Sequence, residues 1–496
     1  MRIKSYQELR SLLFENQTVK QTIFKNTFWL AVAEGISRFL TLILFIYVAR
    51  ILGATEYGKF AFAIAFIYLL SILSSFVSPQ IITREFSQDK TKEKEYSSIL
   101  SLKILLGIGT LILIFISSFF IALDPLIQKV IWILAIYSFL NCFFEIFYAF
   151  LRARQRMEYE AWAKILQAIC IATFGFFVIL RFPSVENLSY GYLLASLVSL
   201  TIFLSFFHLK VYRLSLEWDK SIWKRILLMS WPLALVGTLT IIYTQIDSVM
   251  MGYFGQITET GWYNAVYKIT GAALIPMVLI SQSFYPVLSR AFKESKERIQ
   301  KIWNSQMEIM IFLAFPITVG GIVLAPKIID FIYDQSYAPS VLAFQILILM
   351  VGIMFLYNSF YQVLIVSDNQ KKIFWAVFIG AIVNVILNLI LIPKFSLYGA
   401  AIATVITNIL IFFLFLRFTL KFTSIKPFNL TFLLALINSI FSSIVMYFII
   451  VQPQVYHLHV LFSILIGAIV YCISLFIFRI IPIKYLFSKK YLIKND

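Results

Sequence analysis

The sequence predicts an all-α, polytopic membrane protein with fourteen transmembrane helices. They form two parallel six-helix repeats around a central cavity, with two additional helices at the C-terminal end. Three observations predict it. The 496 residues are 61% hydrophobic and only 13% charged, with a mean hydropathy of +0.88, a composition no ordinary water-soluble domain shows. Fourteen apolar runs approach the roughly 20 residues that a helix needs to cross a bilayer. Short residue patterns also recur in the same order in two halves of the chain.

In chain order the spans are Phe28 to Val48, Phe60 to Ile82, Ile99 to Leu123, Val130 to Leu151, Ala161 to Leu180, Tyr190 to Leu209 and Ile226 to Met250. Then follow Trp262 to Leu288, Ile302 to Leu324, Val341 to Val366, Ile373 to Ile392, Tyr398 to Leu416, Leu430 to Ile450 and Val460 to Ile481. Residues 1–24 carry bases among apolar residues at near-helical spacing. They read equally as an amphipathic helix along the inner face or as a basic tail that only sets orientation. The remaining divisions are a first six-helix half over 25–211, a linker over 212–224, a second half over 225–421, and two added helices with a tail over 422–496. No cleavable signal peptide is visible ahead of the first span.

The net charge of +18 is not that of a nucleic-acid binder, because the bases fall in short runs between apolar segments. Of the 42 Lys and Arg, 34 lie on or near the connections that share a side with the N-terminus, while seven lie on the other and Arg38 is mid-helix. That asymmetry places both termini in the cytoplasm and the chain in the inner, cytoplasmic membrane. Cys142, Cys170 and Cys472 lie singly in apolar runs and imply neither disulfide nor zinc.

The repeat is carried by ILGATEYGKFAFA (51–63) against YFGQITETGWYNA (253–265), and by Pro79, Arg84 and Phe86 against Pro286, Arg290 and Phe292. Gly191, Ala195, Ser196 and Ser199 likewise match Gly399, Ala403, Thr404 and Thr407. Six helices per copy is an even number, so the copies are parallel.

With these junctions in view, the chain resembles the polysaccharide (O-antigen or capsule) flippases of the multidrug/oligosaccharidyl-lipid/polysaccharide exporter superfamily. The carrying residues are ARILGATEYG (49–58), DSVMMGYFG (247–255), GWYNAVYKI (261–269), FYPVLSRAF (284–292) and IPKFSLYGAAIAT (392–404). The resemblance implies a carrier, not an enzyme, that moves an undecaprenyl-pyrophosphate-linked oligosaccharide from the inner to the outer leaflet by alternating access. Membrane lipid, and polysaccharide polymerase or export machinery, are the partners so implied, with no nucleic acid. Lipid II flippases are a related branch; they carry a further base where this chain has Leu44, and a base at the place of Lys268, which the resemblance makes a pyrophosphate contact. A cation-coupled small-molecule antiporter and a membrane polysaccharide polymerase are the competing readings. The polymerase lacks a dense Asp, Glu or His cluster on any outer connection.

Ionisable groups inside lipid are costly and persist mainly where they pair or line an aqueous path. Arg38, Lys268, Gln245 and Asn264 are the substrate-binding candidates, for phosphate and sugar. Glu34, Asp247, Glu145 and Glu308 are the coupling or charge-pair candidates, with H+ or Na+ as the coupling ion. Asp247 and Lys268 are expected at similar depth in one hairpin, either as a pair that substrate phosphate separates or as a static bridge. Glu34 stands one turn before Arg38. Pro276 and Pro286 are hinge candidates, with a fixed kink as the alternative. No residue is assigned a catalytic role, and His457-x-His459 lacks the neighbours of a metal site.

Overall fold

The computed structural model describes residues 13–121 and 124–477, and no strand occurs among them. In hydrocarbon every backbone polar group needs an internal partner, and a helix supplies it within one segment. Of the expected 1–24 segment, residues 1–12 lie outside the described residues, as does the tail over 478–496.

Among the described residues, twelve stretches are long and apolar enough to cross a membrane. Two of them, Gln21–Leu70 and Gln370–Phe422, run to 50 and 53 residues, each covering two of the spans read from the sequence. At about 1.5 Å per residue, each exceeds twice the roughly 30 Å hydrocarbon core. Each is also broken once. In α1 (Val19–Leu70) the break is Gly53, at φ 76°, where only glycine is free of strain.

After α1 the expected continuous helix from Phe60 to Ile82 does not form. A 3-10 turn, Leu73–Phe76, and extended backbone at Val77 and Ser78 precede α2 (Pro79–Gln88). The hydroxyls of Ser74 and Ser75 bond the Ser71 carbonyl at 2.8 and 3.1 Å, and Pro79 has no amide to donate back along the helix. Serine and proline thus break a run whose hydropathy alone reads as one span.

α3 (Tyr96–Ile121), α4 (Pro125–Ala153), α5 (Met157–Arg181), α6 (Val185–Lys210) and α7 (Lys220–Tyr253) follow. Then come α8 (Ile257–Ala273), α9 (Ile275–Glu294), α10 (Lys296–Ile332), α11 (Ser340–Val366), α12 (Gln370–Phe422), α13 (Leu430–Ile450) and α14 (Val460–Ile477). In α12 the break is Ser396, at φ 51°.

The chain divides into two compact units, Met1–Asn264 and Ala265–Asp496. In the first, α1 packs on α5, α4 and α7, while α6 packs on α4 and α5. Gly175 of α5 lets Leu44 of α1 sit where a Cβ would be 2.7 Å from its methyl. At one end Tyr96, Phe147, Phe150 and Phe207 form an aromatic base, with Tyr96 and Phe150 centroids 4.7 Å apart. In the second unit α10 packs on α11, α13 and α14, and α11 on α12. Gly399 allows the two arms of α12 to close, its ideal Cβ lying 2.3 Å from the Leu391 carbonyl. The contact boundary therefore falls inside α8 and not at the 212–224 linker, because α7 packs against α1 and the Leu73–Phe76 turn.

Candidate functional site

The recurring glycine turns meet in the first unit. Gly53 and Gly255 both hold φ 76°, each turning one helix into the next. Just beyond them the Thr55 and Thr258 hydroxyls hydrogen-bond at 2.8 Å. A Cβ on Gly58 would come 1.9 Å from the Ile257 carbonyl oxygen, and one on Gly261 1.9 Å from that of Ala54. The two backbones thus touch reciprocally, which only hydrogen side chains permit.

Two groups of charges in this unit contain the sequence candidates. In one, Arg38 donates from Nε to Glu34 at 2.7 Å, and Lys164 lies 3.9 Å from the other Glu34 oxygen. Lys164 also stands 3.1 Å from Glu160, which accepts from Arg152 at 2.8 and 2.5 Å. Glu160 is fully buried, whereas the Arg38 and Glu34 side chains are half exposed. In the other group Lys103, fully buried, donates to the Ser74 carbonyl at 2.8 Å and to Glu145 at 3.2 Å. Its ammonium therefore caps the broken segment between α1 and α2, an environment that favours cations.

Asp247 is buried on α7 and accepts from the Tyr263 hydroxyl at 2.6 Å. Next to it Asn264 donates to Ser248 and to the Thr260 carbonyl, both at 2.9 Å, which is the helix-gluing role of a membrane asparagine. Gln245 is half-buried on the same helix. Lys268 is exposed on α8 and belongs to the second unit, whereas Asp247 belongs to the first. Pro276 opens α9, where α8 has ended at Ala273, and Pro286 lies inside α9.

The second unit holds a cavity of about 1590 Å³. Its lining begins at Ser295, Glu297, Arg298 and Lys301, passes Asn304, Ser305 and Glu308, and continues through Phe312, Pro316, Gly320 and Leu324 to Ile328. Thr431, Leu434, Met446 and Ile450 of α13, and Ile464, Ala468, Cys472 and Leu475 of α14, line it further, with Ile269 and Ala273 of α8, Phe284 and Val287 of α9, and Phe344 and Ile348 of α11. From Arg298 to Ile328 the trough runs about 45 Å at ~1.5 Å per residue. Beyond the ionic end it is mostly apolar, with Thr431, Tyr471 and half-buried Glu308 as polar members of the lining. Among the described residues no group of three or more His, Cys, Asp or Glu is placed to hold a metal.

Glu85, which lies between two candidate spans, accepts from Lys92 at 2.6 Å, and this bond holds its carboxyl below the usual range, aided by the charges of Arg84 and Arg225. A carboxylate with a lowered folded pKa stabilises fully above its ordinary value of 4.5, and that contribution is lost as pH falls through the lowered value. The thermal midpoint of Lys92→Ala is accordingly expected below that of the parent at pH 7, with the two curves converging below pH 4.5 in a detergent melting series.

Sequence reasoning identified Arg38, Glu34, Asp247 and Glu145, and the structure gives each a partner. It missed Lys103, Lys164, Glu160 and Tyr263 as partners. Lys103 and Lys164 counted only as inner-side charges near helix entrances; their position within apolar runs was the signal.

A family model described as polysaccharide biosynthesis protein matches residues 23–292, and a MatE model matches 232–390. The chain is 26% identical over 386 residues to the probable flippase AglR of Haloferax volcanii, covering 74% of this chain and 77% of that protein. It is 22% identical to the capsular polysaccharide biosynthesis protein CapF of Staphylococcus aureus, covering 77% and 96%. Among solved structures, the lipid II flippase MurJ in an inward closed conformation superposes with a TM-score of 0.75 at 19% identity, covering 90% and 98%. An inward-facing multidrug resistance MATE family transporter superposes with a TM-score of 0.63 at 15% identity, covering 79% and 98%. The last two likenesses establish the fold.

Proposed function

The chain belongs to the polysaccharide biosynthesis protein family, and from that premise we propose that it carries a lipid-linked oligosaccharide across the membrane. The lipid is an undecaprenyl-type diphosphate, and the direction is from the inner to the outer leaflet of the cytoplasmic membrane. The protein is a multi-pass transporter, not an enzyme, and works by alternating access. A gradient of H+ or Na+ drives the cycle, and the outer-leaflet product passes to polymerase and export machinery. Both termini are cytoplasmic in this reading, following the positive-inside asymmetry.

The observation that carries it is the trough of the second unit. One ionic end supplies Arg298 and Lys301, and the remainder is lined by Phe312, Leu324, Ile450 and Leu475. A diphosphate on a long isoprenoid has this make-up, a charged head and a tail that gains about 25 cal/mol for each Å² of apolar surface taken from water. Roughly 300–1000 Å³ suffices for a drug-sized ligand, and a cavity of about 1590 Å³ exceeds that, which disfavours the small-molecule antiporter. The lipid II alternative is disfavoured by Leu44, which is fully buried against Gly175, where a charged side chain would have no solvated space.

Depletion of the protein is expected to trap lipid-linked oligosaccharide on the cytoplasmic leaflet, read by its protection from an impermeant periodate label. Ala468→Trp, which fills the trough from α14, is expected to slow flipping at least tenfold at normal membrane abundance. An unaltered leaflet distribution on depletion would remove the flippase reading.

A further inference from the structure

Lys103 and Glu145 form one ion pair in two environments. The Lys103 side chain on α3 is wholly buried, while that of Glu145 on α4 is 56% exposed. Along α4, Ser138, Asn141, Glu145, Tyr148 and Arg152 stand three and four residues apart, so they share one polar face of the span. An ionisable group inside a span persists where it pairs or where water reaches it, and Glu145 does both.

The ammonium of Lys103 joins that carboxylate to the backbone. It donates to Glu145 at 3.2 Å and to the Ser74 carbonyl at 2.8 Å, within the broken segment 71–78. In that segment the Ser74 and Ser75 hydroxyls turn back to Ser71, whereas the Ser78 amide donates to the Ser230 hydroxyl of α7 at 3.3 Å. Beside Ser74 a void of about 10 Å³, bounded by Gly107, Thr110, Ser138 and Cys142, is close to the size of one water and leaves the segment room to move.

The other titratable groups around Glu145 are engaged elsewhere or carry no positive charge. Tyr68 faces it from α1, and Cys142 and Arg152 from α4 itself, with Arg152 bound to both oxygens of Glu160. α5 brings Lys164, 3.1 Å from the same Glu160. α2 brings Arg84 and Glu85, which lie 3.6 Å apart, and α6 brings Tyr192, whose ring meets that of Tyr137 at 5.5 Å. Lys103 is the buried cation that depends on Glu145 for its counter-charge.

We propose that Glu145 is a proton-binding switch for the segment 71–78. Ionised, it balances Lys103, whose ammonium then fixes the Ser74 carbonyl. Protonated by water from the polar face, it leaves a buried charge uncompensated, and the segment shifts to relieve the cost. The bond from Ser78 carries that shift to α7. A part for this switch in driving transport by H+ rests on the flippase reading, whereas the switch itself does not.

The test is hydrogen exchange of peptides covering residues 71–82, read by mass spectrometry on the purified full chain in nanodiscs at pH 5 and pH 8. After correction for the intrinsic effect of pH, the parent is expected to exchange at least threefold faster at pH 5. Glu145→Gln, at a half-exposed position, is expected to exchange at the faster rate at both pH values, and Glu145→Asp to keep the dependence. A parent rate that is equal at the two pH values, or a dependence that survives Glu145→Gln, overturns the switch. Transport is read separately, with fluorescent undecaprenyl diphosphate N-acetylglucosamine in vesicles under an imposed pH difference. The parent is expected to respond to that difference and Glu145→Gln to ignore it. The expected exchange pattern with a parent that moves the probe regardless of the gradient would uphold the switch and overturn its part in driving transport. A parent that moves no probe would overturn the flippase reading and leave the switch to the exchange result.

Discussion

Thr55→Cys/Thr258→Cys is expected to stop transporting when oxidised and to recover on reduction with dithiothreitol. The parent hydroxyls stand 2.8 Å apart, so thiols there are within reach of the roughly 2.05 Å sulfur–sulfur bond. Around them the glycine turns leave no slack. Gly58 and Gly261 put backbone against backbone, with ideal Cβ positions 1.9 Å from opposing carbonyl oxygens. In the proposed orientation this contact lies at the outer face, since it follows the first and seventh spans. Alternating access requires the two turns to part when substrate leaves. A covalent bond across them holds the closed arrangement, and each single cysteine variant is expected to transport normally under oxidation. Full flipping by the oxidised double variant, with the disulfide verified by thiol titration, would show that these turns stay together throughout the cycle.

Lys103→Met is expected to lose about 2–3 kcal/mol of stability, since it deprives the Ser74 carbonyl of its donor and leaves Glu145 uncompensated. Removing one partner of a wholly buried pair costs about 3–5 kcal/mol. The figure here is lower because the Glu145 side chain is 56% exposed and water screens it. The readout is the thermal midpoint of the purified chain in detergent. Adding Glu145→Gln is expected to restore part of the loss, because the remaining penalty is then only the unsatisfied carbonyl. A Lys103→Met protein with the parent's midpoint would mean that the break between α1 and α2 finds another donor.

The fold was legible in the sequence because lipid imposes a simple rule. Any span must be helical and close to 20 apolar residues long, and composition and run length report both. The glycine turns were legible too, as ILGATEYG and YFGQITETG, because positive φ and touching backbones leave glycine as the residue that fits. The break after Leu70 was not, because hydropathy averages over Ser71, Ser74 and Ser75, while the structure turns on which carbonyls their hydroxyls bond. For the site, the one-turn spacing of Glu34 and Arg38 was readable along α1. Their connection to Lys164, Glu160 and Arg152 was not, since those residues lie on α4 and α5, more than 100 positions away.

By itself, then, the sequence determined a polytopic helical protein, the one-sided distribution of its Lys and Arg among the connections, and several of the ionisable residues that fall inside apolar runs. These properties depend on local run length and residue type, which a linear chain carries directly. Tertiary structure alone decided the partners: Tyr263 for Asp247, Lys103 for Glu145, and Lys164 beside Glu34. It also decided that α10, α13 and α14, with parts of α8, α9 and α11, leave a trough of about 1590 Å³ between them. The reason is that a charge in a membrane is stabilised by whatever stands within about 4 Å of it, and only helix packing brings distant residues that close.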